Sequence, residues 1–334
     1  MKWVFLIFFF FTAAEYTLAQ ESSLIYYNKM YQSAEKQILN GNYCTAKDIL
    51  LELGKNSPLY TTEKINGLVS SLECDSDDHK SIEFFITTLF EIGAPVEYFE
   101  TELGEYSYFS TESWGRMKEE KPEFDRNNRY IKKVGKMVEI DQAGRGYSGM
   151  DSIEWADFRV YMMMQELSRE VNGFLGPEQL GFDYEPLGFS SNSQYAILMI
   201  HQIKSRPYEW GAYLPKMYWD GLIDPRSFTF YYLLANPCDK LELSCFPYPP
   251  ENIIRAAGHL YVCSGDAMER IDKNRDSFYL DSVQDQINKA LYRVNTNKPF
   301  RIGRSIPTFD PHPNEDPTEF HKELKEMGFE KHRK

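Results

Sequence analysis

Five positions carry side chains whose types and spacing allow chemistry beyond packing. The run Ile140-Asp141-Gln142-x-x-Arg145 sets a carboxylate and a guanidinium four residues apart. On a continuous helix that spacing faces them as a charge pair. His201 follows about sixty residues later between Ile200 and Gln202, and Arg226 stands behind Pro225. Should Asp141, Gln142, Arg145, His201 and Arg226 converge, two guanidiniums and an imidazole would form a receptor for a carboxylate or phosphate, with Asp141 orienting the His201 ring. The same set would serve as the polar pocket of a hydrolase-type enzyme. The plainer reading makes Asp141 and Arg145 a helix-end salt bridge and His201 a satisfied core histidine.

Familiar catalytic signatures are missing. The chain has no Gly-x-Ser-x-Gly elbow, no His-Glu-x-x-His and no Walker phosphate loop. Gly144-Arg145-Gly146 and Gly173-Phe174-Leu175-Gly176 are too sparse to cradle a dinucleotide. No cofactor and no metal is expected. With 50 carboxylates, acidic pairs arise by chance and nominate no acid–base couple. The aromatic run Tyr208–Trp219 reads as core before it reads as a sugar platform. The expected function is therefore a binding or interaction module for a peptide, a protein or a small anionic ligand, with a hydrolase as the competing reading.

Taken with His201-Gln202, Leu214-Pro215-Lys216-Met217 and Asp224-x-Arg226, the Asp-Gln-x-x-Arg segment resembles a helical family, domain of unknown function 6624. The resemblance covers roughly residues 125–260 and brings no activity with it. Two departures stand out. Pro225 separates Asp224 from Arg226, and the family's late Asn-x-x-Arg-x-x-Gly-Leu stands here as Asn252-Ile253-Ile254-Arg255-Ala256-Ala257-Gly258-His259-Leu260.

Helices must position these residues. Leu24, Tyr27, Tyr31, Ala34 and Ile38 recur at steps of three and four, Asn40-Gly41-Asn42 breaks the run, and Tyr43, Ala46, Leu50 and Leu53 open a second face. Gly54 is expected to close that helix. The order of Ala34, Gly41, Tyr43, Ala46, Leu50, Leu53 and Pro58 resembles a tetratricopeptide repeat, with Met30 where that family has Trp. Ile65, Leu68, Leu72 and then Ile82, Phe85, Leu89 make a second pair, with the acidic run at 75–78 as turn and N-cap and Gly93 as its end. Further on, Tyr130, Val134, Met137 and Val138 line one face, and Trp155, Phe158, Met162 and Glu166 mark another. Alternation of strand type is nowhere sustained. The expected fold is all-α: tetratricopeptide-like hairpins over 20–98, a connector over 99–125, a helical domain over 126–295, and a charged, partly disordered tail over 296–334 with a short helix near Phe320 to Met327. A peptide or protein partner is expected on the N-terminal helical region.

Residues 1–19, MKWVFLIFFFFTAAEYTLA, read as a secretory signal peptide that leaves Gln20 as the new N-terminus. No later run reaches the ~20 apolar residues of a membrane span. A net charge of −13 argues against nucleic acid. The chain is expected to be exported to a periplasm or the extracellular space, and the lack of any Asn-x-Ser/Thr favours a bacterial source. In such an oxidising place Cys44 and Cys74 could pair, while Cys238, Cys245 and Cys263 leave an odd thiol.

Overall fold

The computed structural model describes residues 23–56, 59–75, 77–125, 129–146, 150–171, 173–182, 193–219, 223, 225–235, 253–256, 259–263, 265–302, 308–309, 317–326 and 329–332. The signal peptide expected over 1–19 lies outside them, as do Cys238, Cys245 and the side chain of Cys263. The fold is all-α. Among the described residues no helix is long and apolar enough to cross a membrane.

The first core belongs to α1 (residues 23–39), α2 (Tyr43–Asn56), α3 (Thr61–Cys74), α4 (His79–Glu91), α5 (Val96–Glu102) and α6 (Glu112–Glu119). Its apolar positions are the ones the periodicity selects, with Ala34, Ile38, Ala46, Leu50, Leu53, Leu68, Ile82, Phe85 and Leu89 all fully buried. Gly41, at φ 75, makes the turn between α1 and α2, and Gly93, at φ 83, ends α4. Asp78 caps α4 by accepting from the Ser81 amide. Cys44 and Cys74 form a disulfide with their Cα atoms 4.8 Å apart, tying the start of α2 to the end of α3, so these two helices run antiparallel. Gly54 differs from expectation. It lies within α2, where a Cβ would meet Leu59 and Phe84 at 3.1 and 3.2 Å, so it serves a close contact and not the helix end.

The second core is built by α7 (Arg129–Gly146), α8 (Met150–Val171), α9 (Pro177–Leu180), α10 (Ser193–Ser205), α11 (Pro207–Trp219) and α12 (Pro225–Ala235). Trp210 and Tyr218 are buried here, so most of the aromatic run is core. The largest correction falls on α8. Its core face is Ala156, Val160, Met164 and Leu167, whereas Trp155, Phe158 and Met162 point to solvent at 55%, 50% and 51% exposure. Two apolar rows share one helix, and only one of them meets the core.

A third, smaller core lies between α13 (Gly265–Asp276), α14 (Val283–Asn295), α15 (Pro317–Glu326) and a sheet of order β3-β1-β2-β4. Strands β1 (Ile253–Ala256) and β2 (His259–Cys263) pair antiparallel, with β3 (Thr308–Phe309) parallel to β1 and β4 (Phe329–Lys331) antiparallel to β2. These strands are two to five residues long, too short for period-two alternation to register. Of the family-like run 252–260, residues 253–256 and 259–260 thus fall on strands. Helix α15 matches the expected short helix, while Phe300 and Ile302 of the expected tail return to the first core.

Polar contacts pin these parts together. Lys289 on α14 sits between Glu35 of α1 and Asp281, at 2.6 Å from the latter, and Asp281 also receives Arg275. Asn28 of α1 donates to the Tyr218 hydroxyl at 2.6 Å.

Candidate functional site

Helix α7 runs without a break through Asp141 to Gly146, so Asp141 and Arg145 do share a face. Asp141 is 1% exposed, and three side chains converge on its carboxylate. Arg145 Nε donates to both oxygens at 3.1 and 3.2 Å, Gln142 Nε2 donates at 3.1 Å, and His201 Nδ1 approaches them at 3.0 and 3.1 Å from α10. A carboxylate that Arg145 already holds can only accept, so the His201 proton belongs on Nδ1. Nε2 is then the basic nitrogen, and among the described residues it has no partner.

One residue of this network is not singled out by sequence spacing. Arg145 Nη2 also donates to Asp157 Oδ1 at 3.1 Å, which joins α8 to the cluster. Burial raises the Asp157 carboxyl above its usual value; Arg145 opposes that shift and the neighbouring Asp141 adds to it. The signal is a lone acid beside the Ala156, Val160, Met164 face, and it stays hidden as long as the opposite row passes for the core face. Four of the five nominated residues therefore meet: Asp141, Gln142, Arg145 and His201. Arg226 lies on α12, but its side chain falls outside the described residues. Gln202, next to His201, is fully buried with neither end of its amide hydrogen-bonded.

Close approach of α7 and α8 makes the bridge possible. A Cβ on Gly144 would stand 2.2 Å from the Ala156 Cβ and 3.0 Å from the Ser152 carbonyl oxygen. The glycine that is useless as a phosphate cradle is thus a helix-crossing point. Gly144→Ala is expected to force the helices apart and cost about 1–3 kcal/mol, as overpacked cores do. Chemical denaturation measures the loss. An unchanged midpoint would show that the crossing has slack.

Comparison with family models, curated proteins and solved structures yields no match. The likeness to domain of unknown function 6624 therefore rests on its motif residues alone, and the site must be read from its own geometry.

Beside the cluster opens a cleft of about 470 Å³ lined by Glu154, Asp157, Ser205, Arg206, Pro207, Tyr208 and Glu209. Asp157 belongs to both cluster and cleft. Arg206 pairs with Glu209 at 3.1 Å and lies over the rings of Tyr161 and Phe158 at 4.7 and 5.8 Å. Tyr208 is 93% exposed at the rim. Arg206, which lines the cleft, and Arg145, which reaches its Asp157, are already held by carboxylates, while Glu154 makes no ion pair among the described residues. The cleft is left acidic, which suits a cation better than an anion. Among the described residues no group of three or more metal-binding side chains gathers.

Proposed function

We propose that the protein is an exported, non-catalytic helical module that binds polypeptide across the α8 face and the adjoining cleft. One observation carries this reading. Trp155, Phe158 and Met162 form an exposed apolar row that runs into a cleft lined by three carboxylates and Tyr208. With Tyr208 they present roughly 500 Å² of side chain, at the upper end of the patches found on monomers and often functional there. An extended ligand with an apolar residue beside a Lys or Arg satisfies both halves at once.

In this reading the leader 1–19 exports the chain, and α1 to α4 act as a tetratricopeptide-like support whose close helix approach uses Ala34 and Ala46. The binding face itself shifts away from the N-terminal helices. Among the described residues of 23–125 the only large apolar side chain classed as exposed is Tyr26. The network of Asp141, Arg145, Asp157 and His201 ties α7, α8 and α10 together behind the face.

Panning a random peptide library on the mature chain tests the proposal, with a Trp155→Ser, Tyr208→Ser double variant as control. Peptides that place Lys or Arg next to an aromatic or aliphatic residue are expected to enrich on the wild type at least about tenfold over the variant. Equal enrichment on both would overturn the reading. The hydrolase alternative draws on the unpartnered His201 Nε2. Hydrolysis of ester or amide substrates by the wild type but not by His201→Gln would favour it over the binding module.

A further inference from the structure

Resting on that reading of the α8 face, we propose that the polypeptide seated on it is a second copy of this chain, with the two α8 helices packed side by side and parallel about a twofold axis.

The row has the spacing of a coiled-coil seam. Trp155, Phe158 and Met162 stand at steps of three and four, which places them at consecutive a, d and a positions. In that register Glu154 is a g position and Arg159 an e position. Side by side in parallel, a g residue meets the e residue five positions on in the other helix, so Glu154 of each copy meets Arg159 of the other, twice by symmetry. Turned antiparallel, g faces g and e faces e, setting Glu154 against Glu154 and Arg159 against Arg159. The charges therefore choose the parallel arrangement.

Both charges are available for this role. Neither Glu154 nor Arg159 forms an ion pair among the described residues, and Arg159 lies over the Trp155 ring at 5.0 Å, on the flank of the seam. Any other helix would have to match both the row and this acid–base offset, whereas a second copy carries the matching pattern by construction. The three seam side chains expose roughly 300 Å², well under the ~800 Å² per partner of a standard interface, which suits a weak dimer that forms reversibly. Pairing would also change the cleft. Because Glu154 lines it, Arg159 of the second copy would add a cation at its edge.

Sedimentation velocity on the mature, disulfide-intact chain up to about 100 µM tests this, a range in which a micromolar dimer is plainly populated. The wild type is expected to dimerise with concentration. Glu154→Arg and Arg159→Glu should each weaken the dimer at least about tenfold, since each turns both symmetric pairs into like charges. Mixing the two single variants should restore a heterodimer, because one then presents cations at both positions 154 and 159 and the other carboxylates at both. The double variant, with both charges exchanged, should dimerise by itself. Both positions are exposed, and circular dichroism verifies that the variants stay folded.

A wild type that stays monomeric would overturn the proposal, as would a dimer indifferent to both single changes or single variants that mixing does not restore. The two readings fail separately. A monomer that still selects peptides removes the dimer alone, while a charge-dependent dimer that selects none removes the peptide reading alone.

Discussion

Replacing Lys289 with Met is expected to destabilise the protein by about 3–5 kcal/mol, the range typical of a buried ion pair stripped of one partner. Lys289 and Asp281 are both almost fully enclosed, and Lys289 also binds Glu35, so the change removes a cation from two carboxylates at once and leaves Asp281 with Arg275 and the Gln286 amide. Burial by itself would raise the Asp281 carboxyl, but the Lys289 and Arg275 charges overcome it and hold the group well below its ordinary value of 3.8. A depressed carboxyl contributes stability that is complete above its unfolded value and drains away as pH falls through the folded one. The wild type should therefore lose this contribution progressively as pH falls below about 5. In Lys289→Met the folded carboxyl moves back toward its unfolded value, so the plateau should be lower and the decline with acid shallower. Urea unfolding across pH 2–7 reads both effects. Parallel curves for the two proteins would show that Lys289 is dispensable to the cluster.

The second large effect is expected at Arg145. Its side chain is 32% exposed, but the Asp141 side chain it holds is only 2% exposed, so Arg145→Ala leaves a buried charge with His201 and Gln142 alone. Asp157 loses its cation at the same time. A loss of about 3 kcal/mol follows, at the lower end of the buried-pair range because water reaches one side of the guanidinium. The double change Asp141→Asn with Arg145→Ala removes the stranded charge and should cost less than the sum of the single changes by about 1 kcal/mol or more. Thermal unfolding of the four proteins closes this cycle. Additive effects below about 0.5 kcal/mol would mean that the pair behaves as an exposed one.

Why some of this could be read in advance and some not follows from the length scale of each signal. Helical periodicity acts within one element, so the buried faces of α1 to α4 were legible residue by residue, as was the turn at Gly41. The Asp141–Arg145 pair was equally local. Convergence with His201 rests on two helices meeting, which spacing permits but does not impose. Helix α8 defeated the method for a physical reason: its two opposite apolar rows both recur at helical steps, and periodicity cannot say which one meets the core. Asp157 went unnoticed with that row. The strands were too short to alternate, and the return of Phe300 to the first core leaves no local mark in a Pro- and charge-rich segment.

That return has a bearing on how the chain comes to be. Asn66 in α3 accepts from the Arg301 amide across 235 positions, and Phe300 and Ile302 complete the core of the first helices. Synthesis at about 5–20 residues per second separates these groups by roughly 10–50 s. For that interval the opening helices exist as a nascent chain with an unfilled gap in their packing, far longer than the microseconds a helix needs to form. The N-terminal third therefore cannot finish folding as it is made. It must wait for residues 300–302, so a carrier that keeps an unfinished chain in solution during synthesis would find its work on the opening helices.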